Sequence, residues 1–202
     1  MVELRPYRPG DLDALYDICL LTGDSGKDAT GLYADPRLIG HIYSAPYGVL
    51  APELAFVAED EQGVVGYVVG VADTRAFDER LERDWWPTLR QRIEDPSVPP
   101  EGRTSDQRLG YLIHHPGTTP HEVVSRFPAH MHMNVLPRAQ GRKVGSRLFD
   151  MWVAAALPMG VRGLHVGVSP TNAGGRAFWE SRGFVRVPPH DGVWLGQDIS
   201  AR

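Results

Sequence analysis

The segment AHMHMNVLPRAQGRKVGSRLFD, residues 129–150, most narrows what this chain can fold into. It opens as an alternating, strand-like run with histidines at 130 and 132, crosses a turn rich in glycine and arginine, and enters an amphipathic helix. Leu148, Phe149, Trp152, Val153, Ala156 and Leu157 recur at helical spacing, so a helix over 145–157 lays one apolar face on a sheet. A helix that starts near Val144 to Ser146 points its unpaired N–H groups and the positive end of its dipole back at the turn. That arrangement holds an anion, and a diphosphate is its natural ligand. Gly141 and Gly145 permit close backbone approach, while Arg138, Arg142, Lys143 and Arg147 add positive charge. Neither the G-x-G-x-x-G turn of dinucleotide folds nor the G-x-x-x-x-G-K-[ST] loop of nucleoside triphosphatases is present.

The remaining elements follow from period and punctuation. VELRPY alternates as a strand, and RPGDLDALYDICLLTG forms a helix in which Cys19 shares an apolar stripe with Leu12, Leu15 and Ile18. A polar loop leads to a short helix over 37–43, and LAFVAED and VVGYVVGVA form a hairpin about EQG, with Glu59 and Asp60 as exposed turn residues. Residues 74–127 depart from this regularity: one helix over 77–93, a proline-rich turn, and the fragment YLIHH, whose His114 and His115 read as loop. An excursion of that length is ordinarily functional or disordered, and Trp85, Trp86 and Leu89 argue for an ordered, packed one. The strand 129–136, the helix 145–157, GLHVGVS, the helix NAGGRAFWESRG, FVRVP and VWLGQDI complete the chain; the last reads as an edge strand available for pairing between subunits. The class is α/β, a mixed sheet flanked by helices with a β-turn-α-β unit at its centre.

At 202 residues, with 42% apolar and 23% charged residues, the composition suits one domain, 1–202, carrying an inserted segment at about 74–127. The net charge of −4 offers no basic excess for nucleic acid or an anionic membrane. A lone cysteine forms no internal disulfide and fits a reducing compartment. With no run of about 18 apolar residues and no cleavable leader, a soluble, cytoplasmic protein, monomer or homodimer, is expected.

QGRKVGSRLF resembles the Q/R-x-x-G-x-G/A turn of the GCN5-related N-acetyltransferase (GNAT) family. VGVSPTNAGGRAFWESRGFVRV resembles the later part of the same family, where a strand is followed by Asn and a helix ending in F-Y-x-x-x-G-F; Asn172, Ala177, Phe178, Gly183 and Phe184 match. Two motifs in order, about 30 residues apart, are far more specific than one. The general layout, insert included, is similar to the acetyltransferase-like domain of O-GlcNAc hydrolases and its bacterial relatives. The resemblance implies a mostly antiparallel sheet and acetyl-coenzyme A as co-substrate, with no metal. It places the pyrophosphate on Gln140, Gly141, Arg142, Lys143, Val144, Gly145 and Ser146. It places the pantetheine arm along the backbone of Asn134, Val135 and Leu136, one of whose N–H groups polarises the thioester, and adds Asn172, Phe178 and position 179 around it. Two residues depart from the pattern. Lys143 stands where the family has its first glycine, and either weakens the nest or adds a cation to it. Trp179 stands where many relatives carry the tyrosine that protonates the departing thiolate, and an indole N–H is no usable acid.

His130 and His132 share one face of their strand and resemble the paired histidines of the arylalkylamine acetyltransferases. A lysine-like amine with a pKa near 10.4 is neutral in only roughly 1 of 2,500 molecules at pH 7, a cost of about 4.6 kcal/mol, so a base is needed. Histidine suits that role, which makes these two the candidate catalytic residues. The structural alternative is a hydrogen-bonded pair in the core, and a metal site with His165 is a third possibility. Asp24 and Asp28, in the loop that caps the acceptor site in the family, and Trp85 and Trp86 are candidate acceptor contacts, against solvated-loop and packing readings respectively. The expected activity is direct attack of a small-molecule or peptide primary amine on acetyl-coenzyme A. Lys143 and Trp179 leave open a catalytically weak coenzyme-binding or interaction module.

Overall fold

The computed structural model describes residues 2–188 and 194–201. Among the described residues, seven strands form one sheet in the order β1-β2-β3-β4-β5-β7-β6: β1 is Glu3–Pro6, β2 Ala55–Asp60, β3 Gly63–Val71, β4 Ala129–Val135, β5 Gly163–Gly167, β6 Val185–Arg186 and β7 Trp194–Asp198. Every neighbouring pair is antiparallel except β4 and β5, the two strands joined through helix α8, Val144–Ala156. A parallel pair needs such a crossover.

The apolar stripe of α8 closes one face of the sheet. Leu148, Phe149, Trp152, Val153 and Ala156 are buried with Val65, Val68, Met131, Leu164 and Val166. Gly70 makes this possible for the largest of them, because a Cβ there would lie 2.9 Å from the Trp152 indole nitrogen and 2.4 Å from the carbonyl oxygen of His130. The opposite face is covered by helices α1 (Leu12–Leu21), α2 (Gly40–Tyr43) and α3 (Ala45–Leu50), and by the inserted segment. Leu15, Ile18 and Cys19 of α1 pack there with Tyr67, Val69 and Val71 of β3.

Within the insert the single helix expected over 77–93 is two: α4, Thr74–Asp84, and α5, Trp86–Arg90. Pro87 has no N–H to continue the first helix, and Trp85 leaves helical geometry at φ −120°. The first four residues of the fragment YLIHH are helical, inside α6, Ser105–His114, and His115 follows as its C-cap. Its start was legible as a capping box that sequence reading passed over: the Thr104 hydroxyl accepts the Gln107 N–H at 3.2 Å and the Gln107 side chain accepts the Thr104 N–H at 3.0 Å. His114 therefore ends a helix, and its Nε2 meets the Ile93 carbonyl at 2.7 Å. A short helix, α7 (His121–Val124), leads into β4. Phe77, Leu81, Trp86, Leu89, Leu109 and Ile113 join the core under β3, so the insert is packed on the sheet.

Two further expectations are corrected. The final strand is no edge: β7 is bonded to β5 on one side and β6 on the other, because the chain returns from the two-residue β6 into the interior. Val193, the first residue of that predicted strand, lies outside the described residues. Glu59 and Asp60 end a strand as expected, but they are half-buried with partners and not exposed turn residues, Glu59 on Arg5 at 2.7 Å and Asp60 on Arg138.

Candidate active site

β4 and β5 are paired only at their beginnings, Ala129 with Leu164 and His130 with His165, and diverge beyond that point. The gap is the centre of a cleft of about 1740 Å³, reaching from the 140–146 turn to the insert. The Leu136 N–H is bonded to the Val65 carbonyl at 2.8 Å, so by two-residue alternation the N–H groups of Asn134 and His132 also face β3. Those of Met133 and Val135 face the gap. Of the three backbone positions expected to receive an extended ligand, Val135 alone presents its N–H to the gap; Met133, two residues earlier, presents its own there too, as strand periodicity would have indicated. The carbonyl of Val135 is held by the Gln140 side chain at 2.9 Å, which folds the turn back onto the strand.

At the turn, Gly141 (φ 71°) and Lys143 (φ 61°, ψ 15°) both take the left-handed conformation. Lys143 thus adopts the geometry that a glycine provides without strain, and the nest forms with lysine in it. The first-turn N–H groups of Val144, Gly145 and Ser146 have no intrahelical partner and line the cleft. Of the four cations expected here, Arg138 is engaged by Asp60 and Arg147 reaches the Val2 carbonyl at 3.1 Å, whereas Arg142 and Lys143 are exposed. A left-handed non-glycine residue costs about 1 kcal/mol. Lys143→Gly is therefore expected to raise stability by about 1 kcal/mol, roughly 2 to 4 °C in Tm. Urea denaturation checks this, and an unchanged or lower midpoint refutes the strain.

The far wall belongs to helix α9, Ala173–Ser181. Asn172 lines the cleft and caps this helix, its side-chain oxygen accepting the Gly175 N–H at 2.8 Å. Phe178 and Trp179 also line it; Trp179 is buried edge-on against Phe149, Phe178 and Phe184. Across the opening, residues 24–27 form a tight turn with Ser25 and Gly26 at positive φ. The Ser25 hydroxyl lies 2.9 Å from that of Thr171, joining the loop after α1 to the loop after β5.

Between turn and insert stand the histidines. His130 is buried, its Nε2 2.7 Å from the Tyr47 hydroxyl and its Nδ1 2.8 Å from the Thr74 hydroxyl. The Nε2 of His132 is 3.1 Å from the same Tyr47 oxygen. His165 is buried beside them, its ring centre 5.6 Å from that of His130 and its Nδ1 2.6 Å from the Phe127 carbonyl. Burial disfavours the imidazolium at all three: His132 is pushed down to about 4, His165 is lowered, and His130 lies well below the ordinary histidine range. With both nitrogens of His130 engaged, this trio is poorly arranged to hold a metal. Tyr47 and Thr74 were missed in the sequence, since the register of β3 with β4 and the docking of α3 bring them to the histidines.

The four candidate acceptor contacts divide. Asp24 and Trp86 line the cleft, Trp86 from a buried position. Asp28 instead accepts the Thr30 N–H at 2.8 Å, and Trp85 donates its indole N–H to the His41 carbonyl at 2.9 Å.

A strand pair that opens beside an N–H-lined turn is the architecture of an acetyltransferase. The sequence model of the acetyltransferase (GNAT) family matches residues 40–184, and the chain belongs to that family. Its sequence is 24% identical over 201 residues to protein O-GlcNAcase of Rattus norvegicus and 23% identical to that of Mus musculus. The match covers 97% of this chain and 22% of each relative, so the chain spans about a fifth of the length of these proteins. The crystal structure of SsHAT superposes with a TM-score of 0.91 at 36% identity, covering 100% of this chain and 99% of that one. That of PH1933 from Pyrococcus horikoshii OT3, at 17% identity and a TM-score of 0.58 over 97% and 96%, shares the fold.

Proposed function

We propose that this acetyltransferase uses acetyl-coenzyme A and delivers the acetyl group to the nitrogen of a primary amine, on a small molecule or a peptide, in the cytoplasm. The observation that carries the reading is the meeting, in one cleft, of a splayed β4–β5 gap, an N–H-lined turn at its end and a histidine network between turn and insert. Backbone N–H groups of Val144, Gly145 and Ser146 would take the pyrophosphate. Met133 and Val135 would pair with the pantetheine arm as with an added strand. The amine attacks the thioester carbon, the C–N bond forms, and the C–S bond breaks as thiolate leaves; the nitrogen's proton passes to a histidine. No covalent enzyme intermediate is required. A thiol of pKa near 8.5 is a fair leaving group, so the thiolate can take its proton from water with Trp179 in place of tyrosine.

Thermal unfolding with and without acetyl-coenzyme A tests the coenzyme, and thiol release with a panel of primary amines tests transfer. Ligand at 100 times its Kd is expected to add about 2.7 kcal/mol, roughly 5 to 10 °C in Tm. Lys143→Glu, with negative charge set at the turn, should cut that shift. An unchanged Tm sinks the coenzyme reading. A shift without thiol release from any amine supports the second reading, a coenzyme-binding module, which the burial of Trp179 in an aromatic cluster favours.

A further inference from the structure

Thr74, His130, Tyr47 and His132 form one continuous chain of hydrogen bonds, and counting protons gives that chain a direction. At its inner end the Thr74 hydroxyl lies 2.7 Å from the Pro128 carbonyl, an atom that only accepts. The single hydroxyl proton must sit in that contact, because two oxygen acceptors 2.7 Å apart repel without one. Thr74 then has only lone pairs to offer at its 2.8 Å contact with His130, so Nδ1 of His130 carries the proton. In a neutral imidazole Nε2 is consequently the acceptor, and the buried Tyr47 hydroxyl 2.7 Å away donates to it. Tyr47 oxygen is left to accept, and Nε2–H of His132 donates across 3.1 Å. The remaining nitrogen lone pair of the chain is Nδ1 of His132, which has no hydrogen-bond partner among the described residues; His132 lines the cleft.

The geometry points to His132 Nδ1 as the atom that takes the acceptor's proton, with Tyr47, His130 and Thr74 as positioning residues that fix its tautomer. This rests on the acetyl-transfer reading for its chemistry, though not for the tautomers themselves. The transfer balances atom by atom. As the amine nitrogen bonds to the acetyl carbon, its proton moves to His132 Nδ1, and the Nε2–H of His132 stays hydrogen-bonded to the Tyr47 oxygen. The positive charge rests on His132, at the cleft, while Tyr47 and His130 stay neutral with the Nδ1–H of His130 still pointing at Thr74. The two histidines thus have unequal roles: His132 meets the proton, and His130 sets the polarity. The other titratable or charged groups around the chain are Tyr43 from α2, Arg75 and Asp78 from α4, and His165 from β5.

Two-bond proton–nitrogen correlation spectra of the 15N-labelled protein at pH 7.5 read the tautomers directly, without turnover. His130 is expected as the Nδ1–H form and His132 as the Nε2–H form, assigned by His130→Gln and His132→Gln. The reverse pair, or rapid averaging of both rings between tautomers, overturns the proposal. Thr74→Val, in which His130 loses the fixed acceptor, should shift the His130 nitrogens toward the other tautomer, while Thr74→Ser should restore the wild-type pattern. In kinetics, Thr74→Val and Tyr47→Phe should lower kcat about tenfold or more with KM for acetyl-coenzyme A unchanged, and Thr74→Ser should recover it. Wild-type kcat in both disrupting variants would remove the chain from catalysis. Correct tautomers in a protein that never releases thiol would leave the polarity intact and sink only the acetyl-transfer reading.

Discussion

Replacing His132 by glutamine is expected to lower kcat/KM for the amine by about 10²- to 10³-fold, the usual worth of a positioned general base, while KM for acetyl-coenzyme A stays within about twofold. Glutamine keeps an N–H donor for the Tyr47 hydroxyl, 3.1 Å from the present Nε2, so the pocket retains its hydrogen bond and loses only the basic nitrogen. The coenzyme sites proposed at the turn and along the open edge of β4 are backbone groups of other residues, which is why its KM should not move. Burial holds the imidazole neutral at working pH, and so in the form able to accept a proton. Steady-state kinetics over a range of amine and coenzyme concentrations checks the split. A kcat within threefold of wild type would transfer the base role elsewhere, and a KM effect alone would make His132 a binding residue.

Acid should unfold this protein unusually early. His41, His130, His132 and His165 are all held neutral by burial; His41 and His132 are pushed down to about 4, and the other two are lowered. His41 sits among Tyr16, 2.8 Å from its Nδ1, and Arg92, 3.3 Å from its Nε2, whose positive charge further disfavours the imidazolium. The folded state therefore binds fewer protons than the unfolded state once the pH falls below the ordinary histidine pKa near 6.5. Stability is full above that value, declines as pH falls, and levels off for His41 and His132 below about 4. Each such histidine contributes a slope approaching 1.4 kcal/mol per pH unit, so four acting together remove several kcal/mol from a total of about 5 to 15. Urea midpoints at pH 7.5, 6, 5 and 4.5 measure the decline. Asp11, lowered chiefly by its bond with Arg5, loses its contribution only below the carboxylate range and cannot mimic the effect above pH 5. A flat stability from pH 6.5 to 5 would mean that these imidazoles take up protons without unfolding the chain.

The elements close to the 140–146 turn were legible because their causes are local. The apolar stripe of Leu148, Phe149, Trp152 and Val153 dictates the helix and its buried face, and Gly141 marks a left-handed turn position. The pairing of Phe178 with Gly183 and Phe184 announces the last helix and its stop, with Gly183 at φ 94°. Lys143 shows where such reading reaches its limit: its left-handed backbone is imposed by the turn against the preference of the residue itself. In the insert, Pro87 and the Thr104–Gln107 box were local signals too, sufficient to break one helix and begin another.

What the sequence by itself determined is the architecture around the turn and the presence of two histidines on one strand face. Only the tertiary structure decided their partners. Tyr47 lies 83 positions from His130, and Thr74 lies 56, with distances of 2.7 and 2.8 Å once folded. The same holds for β7, placed inside the sheet by the order in which strands return. Local sequence sets backbone preference over a few residues, where spacing along the chain is spacing in space. A hydrogen-bond network is set by strand register and helix docking summed over the whole core, and no short window of residues carries that sum.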